Sequence, residues 1–519
     1  MNKVTFIVNK AEFLSDKKDS PEEILNEETS VSGRLRQFFN QLSEIGEIHH
    51  VEPNASVAEL NRLCQREGTI YVSFYDPPPE GVACRLLLNT RGGLMLPGGF
   101  LGPWFFRRET VNLVQTQRQK SQLIEALREA APRLEVFSKQ MIESPFCFAE
   151  ATEPLKSQGQ LQGEKLIYAG RFIANKGILQ TARVMALWPS SGATLQLVGN
   201  TEPEFENSQS ASSHISFEPF FKRELDICGS NINIEMLPAC SQNELNKLYH
   251  KADLFVCPSF HEDEALGNAA HEAVLSGLPA VVTDWSGLGQ LGKHTRGGCV
   301  RAYPTLAGVR YSLSELRQCI SCAIPKRNVK AAEDAAWIQQ TFAPSIMLRN
   351  LQASVNYLLN LDGPITPIGP WRDNSRAQAL ARHAPDGIRE AFEPLSSIPT
   401  DGLYAEGTGL PDQGNYSYLR LFRGIQSIYT TNPTPPRVYE GMLLRGFWRV
   451  GVWEEQRSIV EFGYPGPRFK RYDPESWELV RGSIVAESNK EPCFACNSPS
   501  SQQILQELVD LGYLVPDEY

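Results

Sequence analysis

Short apolar runs rich in β-branched residues alternate with longer amphipathic runs over roughly the first third of the chain. Such alternation is typical of α/β domains, in which buried strands are joined by helices that pack on the sheet. Residues 1–155 are therefore predicted to form an α/β domain. Its predicted strands are 4–8, 48–52, 69–75 and 134–138, and its predicted helices are 33–45, 57–66 and 110–131.

A second series of the same kind follows the polar stretch 152–164, which has the composition of an interdomain linker. We interpret residues 163–360 as a second α/β domain. Ligands of parallel α/β sheets bind outside the carboxyl ends of the strands, so we expect the ligand there. The predicted strands are 166–169, 195–198, 254–256 and 280–283, and the run 342–359 is predicted to be a closing helix.

The last part of the chain differs in character from the first two. Residues 361–402 are rich in proline and polar residues and are predicted to be a linker. Residues 403–519 carry aromatic strands at 446–453 and 458–464 and a terminal helix at 500–511, closed by Gly512. We interpret this region as an accessory α+β domain, and recognition of a protein or peptide partner is one interpretation of its role.

Charge excludes some classes of partner. The chain has 519 residues, with 50 Lys and Arg against 60 Asp and Glu, a formal net charge of −10. An acidic balance gives no general attraction to nucleic acid or to anionic lipid, so a small-molecule substrate is expected. The sequence shows neither an apolar stretch of about 18 residues nor a signal peptide, which predicts a cytoplasmic location.

The eleven cysteines lack the regular spacing of a disulfide framework, which favours reduced thiols. Two C-x-x-C pairs occur, Cys319/Cys322 and Cys493/Cys496. Zinc sites usually take four ligands from two such pairs. The first pair lies in a predicted helix, where core packing explains it. The second, in a predicted loop, could be half of a zinc site, a weak redox pair or a pair without function.

Two basic residues follow the first strand of the second domain. The sequence reads Tyr168-Ala-Gly170-Arg171 and then Asn175-Lys176-Gly177. A turn from a strand into a helix directs backbone N–H groups and the positive end of the helix dipole at an anion, and two cations add to that attraction. Arg171 and Lys176 are therefore candidates for binding a diphosphate, although two cations near a helix start can also be ordinary surface residues.

Two glutamates follow further along the same domain. Pro258-Ser259 precedes Glu264-x-x-Gly267-x4-Glu272, which ends in Gly277-x-Pro279. With Gly267 at the start of a helix, Glu264 lies in a loop and Glu272 lies roughly 7–8 Å along the helix. One carboxylate can accept hydrogen bonds from a sugar and the other from a ribose diol, while the helix N-terminus binds phosphates. Helix capping would explain Glu262 and Asp263 but not Glu272.

In this order, these motifs resemble the donor half of the retaining glycosyltransferases of the GT-B fold, family 4. The resemblance covers residues 163–360 strongly, and it implies two Rossmann-like domains that face a cleft. It implies that Arg171 and Lys176 contact the diphosphate of a nucleotide-sugar donor and that Glu272 binds the ribose. Stretch 237–242 would lie beside the base. The sugar would be bound by Glu264 and the following backbone, so that the implied donor-site residues also include Gly170, Ala265, Leu266 and Gly267.

The resemblance also implies the chemistry. Retention in this family is attributed to front-side displacement, in which the leaving diphosphate accepts the proton of the acceptor, so no dedicated base is required. The sequence has no Asp-x-Asp metal motif, which predicts a reaction that needs neither a metal ion nor a further cofactor. The acceptor could be a carbohydrate, a lipid-linked sugar, a small molecule or a protein. His49 and His50 are acceptor-side candidates, although such histidines are more often surface or core residues.

Two departures from the family pattern leave an alternative open. Leu266 stands where an aromatic residue is usual, and Asn9-Lys-Ala-Glu12 replaces the usual Gly-rich loop after the first strand. A catalytically degenerate GT-B protein that binds nucleotide-sugars or acts as a scaffold would fit the second departure.

A dinucleotide-binding enzyme is a further alternative. Gly287-Leu-Gly289-Gln-Leu-Gly292 is a literal G-x-G-x-x-G after a predicted strand. The motif needs a helix directly after it, to direct its dipole at the pyrophosphate, and residues 293–298 do not have a helical pattern.

Overall fold

In the computed structural model, the chain forms two α/β halves and a C-terminal α+β region. The structure describes the following residues: 4–9, 30–52, 54–73, 78–89, 108–116, 120, 141–143, 164–186, 193–200, 221–226, 232–261, 264, 266–305, 308–327, 331–365, 367–368, 436–447, 450–462, 467–488 and 491–517.

The first half contains a six-stranded sheet in which every described pair of neighbouring strands is parallel, in the order β2-β1-β3-β4-β5-β6. Apolar strand residues are buried in the middle of this sheet, as expected where helices cover both faces. The elements are β1 Val4–Asn9, α1 Ser30–Ile45, β2 Gly46–Val51, α2 Val57–Cys64, β3 Thr69–Ser73, β4 Leu86–Asn89, β5 Thr110–Val114 and β6 Met141–Glu143.

One sequence prediction in this half is wrong at its start. The helix predicted at 110–131 begins instead as strand β5, all five residues of which are buried between β4 and β6. A short apolar run of this kind has no period that separates a buried strand from a buried helix, so its place in the sheet decided the outcome. Strand β4 was not predicted, and the strand predicted at 134–138 lies outside the described residues.

The second half contains another six-stranded parallel sheet, in the order β12-β11-β10-β7-β8-β9. The two parallel sheets with their connecting helices confirm the predicted fold class. The strands of the second sheet are β7 Lys165–Ala169, β8 Thr194–Val198, β9 Asn233–Leu237, β10 Leu254–Cys257, β11 Ala280–Thr283 and β12 Gly298–Val300. The helices of the second half are α3 Ile178–Ala186, α4 Gln242–Lys251, α5 Asn268–Leu275, α6 Ser286–His294, α7 Leu313–Ala323 and α8 Ala331–Thr341.

The strand order of the second sheet reverses at β7. From β7 the chain continues outward to β8 and β9 on one side, and then returns to β10 on the other side and continues to β11 and β12. The chain thus leaves β7 and β10, the two central strands, towards opposite sides of the sheet, and the carboxyl edge at this point is expected to form a crevice. Such a switch point is where open α/β sheets bind their ligands.

The helix that closes the second half packs on the first sheet. This helix is α9, Pro344–Leu359, and its residues Met347, Leu351, Val355 and Leu358 share a core with the apolar residues of β1, β3, β4 and β5. Sequence order groups α9 with the second half, while its buried contacts tie it to the first.

The C-terminal region, residues 436–517, has a core of its own around Leu444, Phe494 and Leu508. Before this region, the second half also contains an antiparallel hairpin of two strands, β13 Ala302–Thr305 and β14 Gly308–Tyr311. The two antiparallel sheets of the C-terminal region have the orders β19-β20-β15-β21 and β16-β17-β18. The elements are β15 Leu443–Gly446, β16 Val450–Trp453, β17 Ser458–Phe462, β18 Pro467–Arg471, α10 Pro474–Gly482, β19 Ile484–Ser488, β20 Glu491–Ala495, α11 Pro499–Asp510 and β21 Leu514–Pro516. The run 446–453, predicted as one strand, thus contributes to two strands in different sheets.

Candidate functional site

The loops after β7 and β10 lie against each other at the switch point. The 3₁₀ turn Ala174–Lys176 ends at Gly177, which adopts a left-handed conformation with φ 75°. A Cβ at Gly177 would lie 2.3 Å from the carbonyl oxygen of Pro258, so glycine is required for this contact. The Phe260 N–H donates a hydrogen bond of 2.8 Å to the carbonyl of Asn175. The two motifs that the sequence analysis selected are therefore held together by their backbones.

An ion pair forms where these loops meet. The Lys176 ammonium pairs with the Glu264 carboxylate, and the two side chains are only 15% and 11% exposed. The Ser259 hydroxyl donates to the same carboxylate over 3.0 Å. A partly buried carboxylate with a cation and a hydroxyl is held in one position, because its charge is not solvated by bulk water there.

The Lys176–Glu264 pair determines the ionisation of Glu264 itself and of the neighbouring His261. Burial alone would raise the pKa of the Glu264 carboxyl, but the Lys176 charge and the hydrogen bonds from Lys176 and Ser259 lower the pKa to about 2. Burial and the same ammonium lower the pKa of His261 to about 3, with a smaller contribution from Arg171. At neutral pH the site therefore contains an ionised Glu264 beside a neutral His261.

His261 also lies at the candidate site, although it was not among the residues predicted from the sequence. In the sequence it forms part of a histidine–glutamate dipeptide that lacks the second histidine of a zinc site. Its backbone N–H contacts the Ser259 hydroxyl at 3.3 Å, and its carbonyl accepts from the Glu264 N–H at 3.1 Å. Its position between two motif residues, Ser259 and Glu264, was the signal available in the sequence.

Helix α5 begins at the same crevice. Gly267 precedes its first residue with φ 75°, and a Cβ there would lie 2.1 Å from Leu288 Cδ2, so this helix start also requires glycine. Glu272 is the fifth residue of the helix and is half-buried. Leu266 is buried beneath the turn. The start of α5, with its backbone N–H groups, lies between the two glutamates along the chain.

Arg171 and Gly170 follow β7 directly. Gly170 has φ 144°, and the Tyr168 hydroxyl donates to the Arg171 carbonyl over 2.8 Å, which fixes this turn. The Arg171 side chain is exposed and is close enough to His261 to lower the pKa of that histidine. The structure thus brings Arg171, Lys176 and Glu264 into one neighbourhood, with Ala265 outside the described residues.

The remaining sequence candidates lie elsewhere. His49 and His50 are exposed on β2, the edge strand of the first sheet, and the ring of His50 lies 6.5 Å from that of Phe39. Stretch 237–242 runs from the carboxyl end of β9 to α4, where Ser241 and Glu244 form a capping box.

The G-x-G-x-x-G sequence has a packing role. Its residues lie inside helix α6 rather than in a loop before a helix. A Cβ at Gly292 would come within 2.8 Å of both Cys299 Sγ and Val282 Cγ2, so this glycine lets α6 approach the sheet. The dinucleotide-binding alternative, which needs the glycines in the loop before a helix, does not fit this placement.

The cysteine pairs find no further ligands within the described part of the chain. Among those residues, no group of three or more His, Cys, Asp or Glu side chains is arranged to bind a metal ion. Cys319 and Cys322 lie on α7, and Cys493 lies in β20 rather than in a loop. Similarly, no helix in the described ranges is both long and apolar enough to cross a membrane.

Comparisons with known proteins find similarity in the second half of the chain. Residues 152–302 match the family model described as Glycosyl transferases group 1. A stretch of 122 residues is 27% identical to the GDP-mannose:cellobiosyl-diphosphopolyprenol alpha-mannosyltransferase of Xanthomonas oryzae pv. oryzae strain PXO99A, covering 24% of this chain and 29% of that enzyme. The matched stretch thus spans less than a third of that relative.

Similar solved structures include sucrose-phosphate synthase from Thermosynechococcus elongatus, with TM-score 0.47, 13% identity, and coverage of 69% of this chain and 99% of that chain. A glycosyltransferase from Rickettsia africae ESF-5 gives TM-score 0.46 and 13% identity, over 70% of this chain and 100% of that chain. The family match of residues 152–302 includes both Lys176 and Glu264, and therefore falls on the sheet that carries the ion pair.

Proposed function

We propose that this protein is a glycosyltransferase that moves a sugar from a nucleotide-sugar donor to an acceptor. The observation that carries the proposal is the assembly of Lys176, Glu264 and the start of α5 at the switch point of the second sheet. A site with cations and backbone donors for phosphate, and partly buried carboxylates for hydroxyl groups, suits a ligand that has a diphosphate and two polyols. The match of residues 152–302 to the glycosyl transferases group 1 family supports the same function.

Each residue has a role in this proposal. Arg171 and Lys176 bind the diphosphate, near which Gly170 lets the backbone approach closely. Glu264 and the backbone of 265–267 bind the sugar, and Glu272 binds the ribose. The Lys176–Glu264 pair is the resting arrangement, and an arriving diphosphate shares the ammonium with Glu264. Glu264 remains ionised throughout, because its pKa lies far below neutral pH.

The reaction follows from these roles. The acceptor oxygen forms a bond to the anomeric carbon on the face from which the diphosphate leaves, and the departing diphosphate oxygen takes the acceptor proton. The bond from the anomeric carbon to the diphosphate oxygen breaks on that same face, so the anomeric configuration is retained. The departing diphosphate is the proton acceptor, and no protein base is needed. Arg171, Lys176 and the start of α5 stabilise the negative charge that grows on the diphosphate, which is the charge that differs between ground and transition states. We propose that these groups take the place of a metal ion.

The donor and acceptor classes are open to direct assay. The Xanthomonas relative is named for GDP-mannose and a lipid-linked diphosphate sugar, so GDP-mannose belongs in the first panel of donors beside UDP- and ADP-sugars. Proposed acceptor classes are carbohydrates, lipid-linked sugars, small molecules and proteins. A ligand at 100 times its Kd should raise the free energy of unfolding by about 2.7 kcal/mol, which a thermal-shift assay detects.

The test separates the two glutamates. Glu272→Gln should weaken binding of both the nucleoside diphosphate and the intact donor, because a hydrogen bond to a charged group is worth about 1.5–3 kcal/mol. Glu264→Gln should lower binding and transfer of the intact donor, because the transferred sugar loses a charged hydrogen-bond acceptor. The affinity for the nucleoside diphosphate should not fall, because this ligand lacks the transferred sugar and no longer shares the Lys176 ammonium with a carboxylate. Paired calorimetric titrations and a melting curve for each variant measure this.

Three results would change the proposal. If both variants bind both ligands like the parent, the donor-site assignment fails, and the transferase proposal fails with it. Binding by the parent without transfer or hydrolysis would support instead a degenerate GT-B protein that binds nucleotide-sugars. Activity that disappears with a chelator and returns with Mn²⁺ or Mg²⁺ would contradict the metal-independent reaction.

A further inference from the structure

The loop that follows β10 has two faces, one directed towards the crevice and one directed away from it. We call residues 258–261 the donor loop. Ser259 lies on its front face, where its hydroxyl contacts Glu264. Phe260 lies on its back face and is 5% exposed, although this residue is next in sequence to both Ser259 and His261. Whatever fixes Phe260 therefore also fixes the residues on either side of it.

The contacts of Phe260 come from two parts of the chain. Its ring lies 6.2 Å from that of Tyr311, at the end of the β14 strand, and 5.1 Å from that of Phe447, with an edge-to-face angle of 80°. Phe447 belongs to the C-terminal region and is completely buried, yet it packs with the core of the second half instead of the core of its own region. The C-terminal region thus contributes a side chain to the support of the donor loop.

Phe447 is itself enclosed on several sides. Its ring meets Tyr311 edge to face at 5.1 Å, and the guanidinium of Arg310 lies 4.7 Å from the ring centre. The same guanidinium lies 5.8 Å from the ring of Phe260. Edge-to-face rings and a buried guanidinium over an aromatic face are directional contacts, so they define position as well as burying apolar area.

The backbone near Phe447 is anchored from both sides. Its carbonyl accepts from Arg183 over 2.9 Å, and its N–H donates to Tyr513 in its own region over 3.2 Å. Residues 512–516, which include the final strand, make further polar contacts with the second half, as the Gly512 carbonyl accepts from Arg310 and the Pro516 carbonyl accepts from Ser312. The three accepting groups are backbone carbonyls at Phe447, Gly512 and Pro516, so the backbone of the C-terminal region is held at three points.

We propose that Phe447 is a positioning residue for the donor site, through which the C-terminal region fixes the donor loop from behind. The proposal rests on the proposed function of that site. Phe447 acts through Phe260, which sets the backbone that carries Ser259, and Ser259 holds the Glu264 carboxylate. Catalysis is sensitive to displacements of about 1 Å in groups that orient a substrate, so a side chain that never touches the donor can still control turnover.

The experiment compares Phe447→Ala with Phe494→Ala in the full chain. Phe494 is a matched control, because it is the same residue type and is equally buried, but it packs in the core of the C-terminal region. Hydrogen exchange of a peptide that spans the donor loop reports on the Phe260 N–H bond to Asn175, whether or not the protein is a transferase. Donor turnover and the affinity for the nucleoside diphosphate are measured on the same samples.

Phe447→Ala is expected to speed exchange of the donor-loop peptide about tenfold and to lower turnover of the intact donor about tenfold, with the diphosphate affinity unchanged. Phe494→Ala should leave loop exchange as in the parent. If neither alanine variant folds, Phe447→Leu and Phe494→Leu form a milder pair that should show the same contrast. Equal loop exchange in the Phe447 and Phe494 variants would overturn the proposal and make Phe447 a residue of general stability.

Failure of the transferase proposal gives a different result. In that case the parent neither binds nor turns over any nucleotide-sugar, while loop exchange still responds to Phe447 and not to Phe494. Altered loop exchange without a change in turnover, in a parent that is active, would overturn the positioning role and leave the function intact.

Discussion

The two parallel sheets share an architecture but differ in where the candidate residues named from the sequence lie. In the second sheet, the loops after β7 and β10 bring Lys176, Glu264 and His261 together at the reversal of strand order. In the first sheet, the candidates named from the sequence, His49 and His50, are exposed on an edge strand. The same parallel-sheet architecture therefore holds candidate residues either at the reversal of strand order or on an exposed edge strand, so the fold alone does not identify a site.

We expect the largest effect from removing the Lys176 cation of the second sheet. Lys176→Ala takes a charge from the diphosphate and leaves the Glu264 carboxylate partly buried without its ion pair, so turnover should fall by about 10²–10³-fold. Lys165→Ala is the matched control, because Lys165 lies at the opposite end of β7 and pairs with Glu235 at 3.5 Å. Steady-state kinetics of both variants test this, and equal losses would assign Lys176 to structure alone.

A second prediction concerns the pH dependence of stability. The pKa of Glu264 is lowered from its ordinary value of 4.5 to about 2, so its ionised form stabilises the fold above pH 4.5, and this contribution is lost as the pH falls towards 2. By linkage the contribution is about 3 kcal/mol at most. The melting temperature of the parent should exceed that of Glu264→Gln at pH 7, and the gap should narrow as the pH falls to 3. A constant gap would contradict the ion pair.

The smallest expected effect tests the first sheet. We propose that His49 and His50 contact the acceptor, in which case replacing both with Ala should raise the KM for the acceptor about threefold to tenfold, the loss of one hydrogen bond. The affinity for the donor should not change, because the proposed donor site lies on the other sheet. Acceptor titrations at saturating donor measure this. An unchanged acceptor KM would contradict the assignment of His49 and His50 to the acceptor.

The sequence by itself predicted much of the second sheet. Its strands at 166–169, 195–198, 254–256 and 280–283 agree with β7, β8, β10 and β11 to within one residue at each end, because buried parallel strands are continuous apolar runs ended by polar residues or glycine. The helix between Gly267 and Gly277 was predicted for a related reason, since the glycines at its two ends mark where it starts and stops. Periodicity and glycine conformation are local properties, so the sequence alone determines them.

Tertiary structure decided everything that depends on distant contacts. The run at 110–114 became a strand because neighbours on both sides paired with it, and α9 joined the first sheet although its sequence follows the second. Lys176 pairs with Glu264, and the same ammonium lowers the pKa of His261. Phe447 packs against Phe260 behind the donor loop. Each of these interactions joins residues far apart in sequence. Such contacts depend on the strand order at the switch point and on the docking of the C-terminal region, and no local pattern encodes either of them.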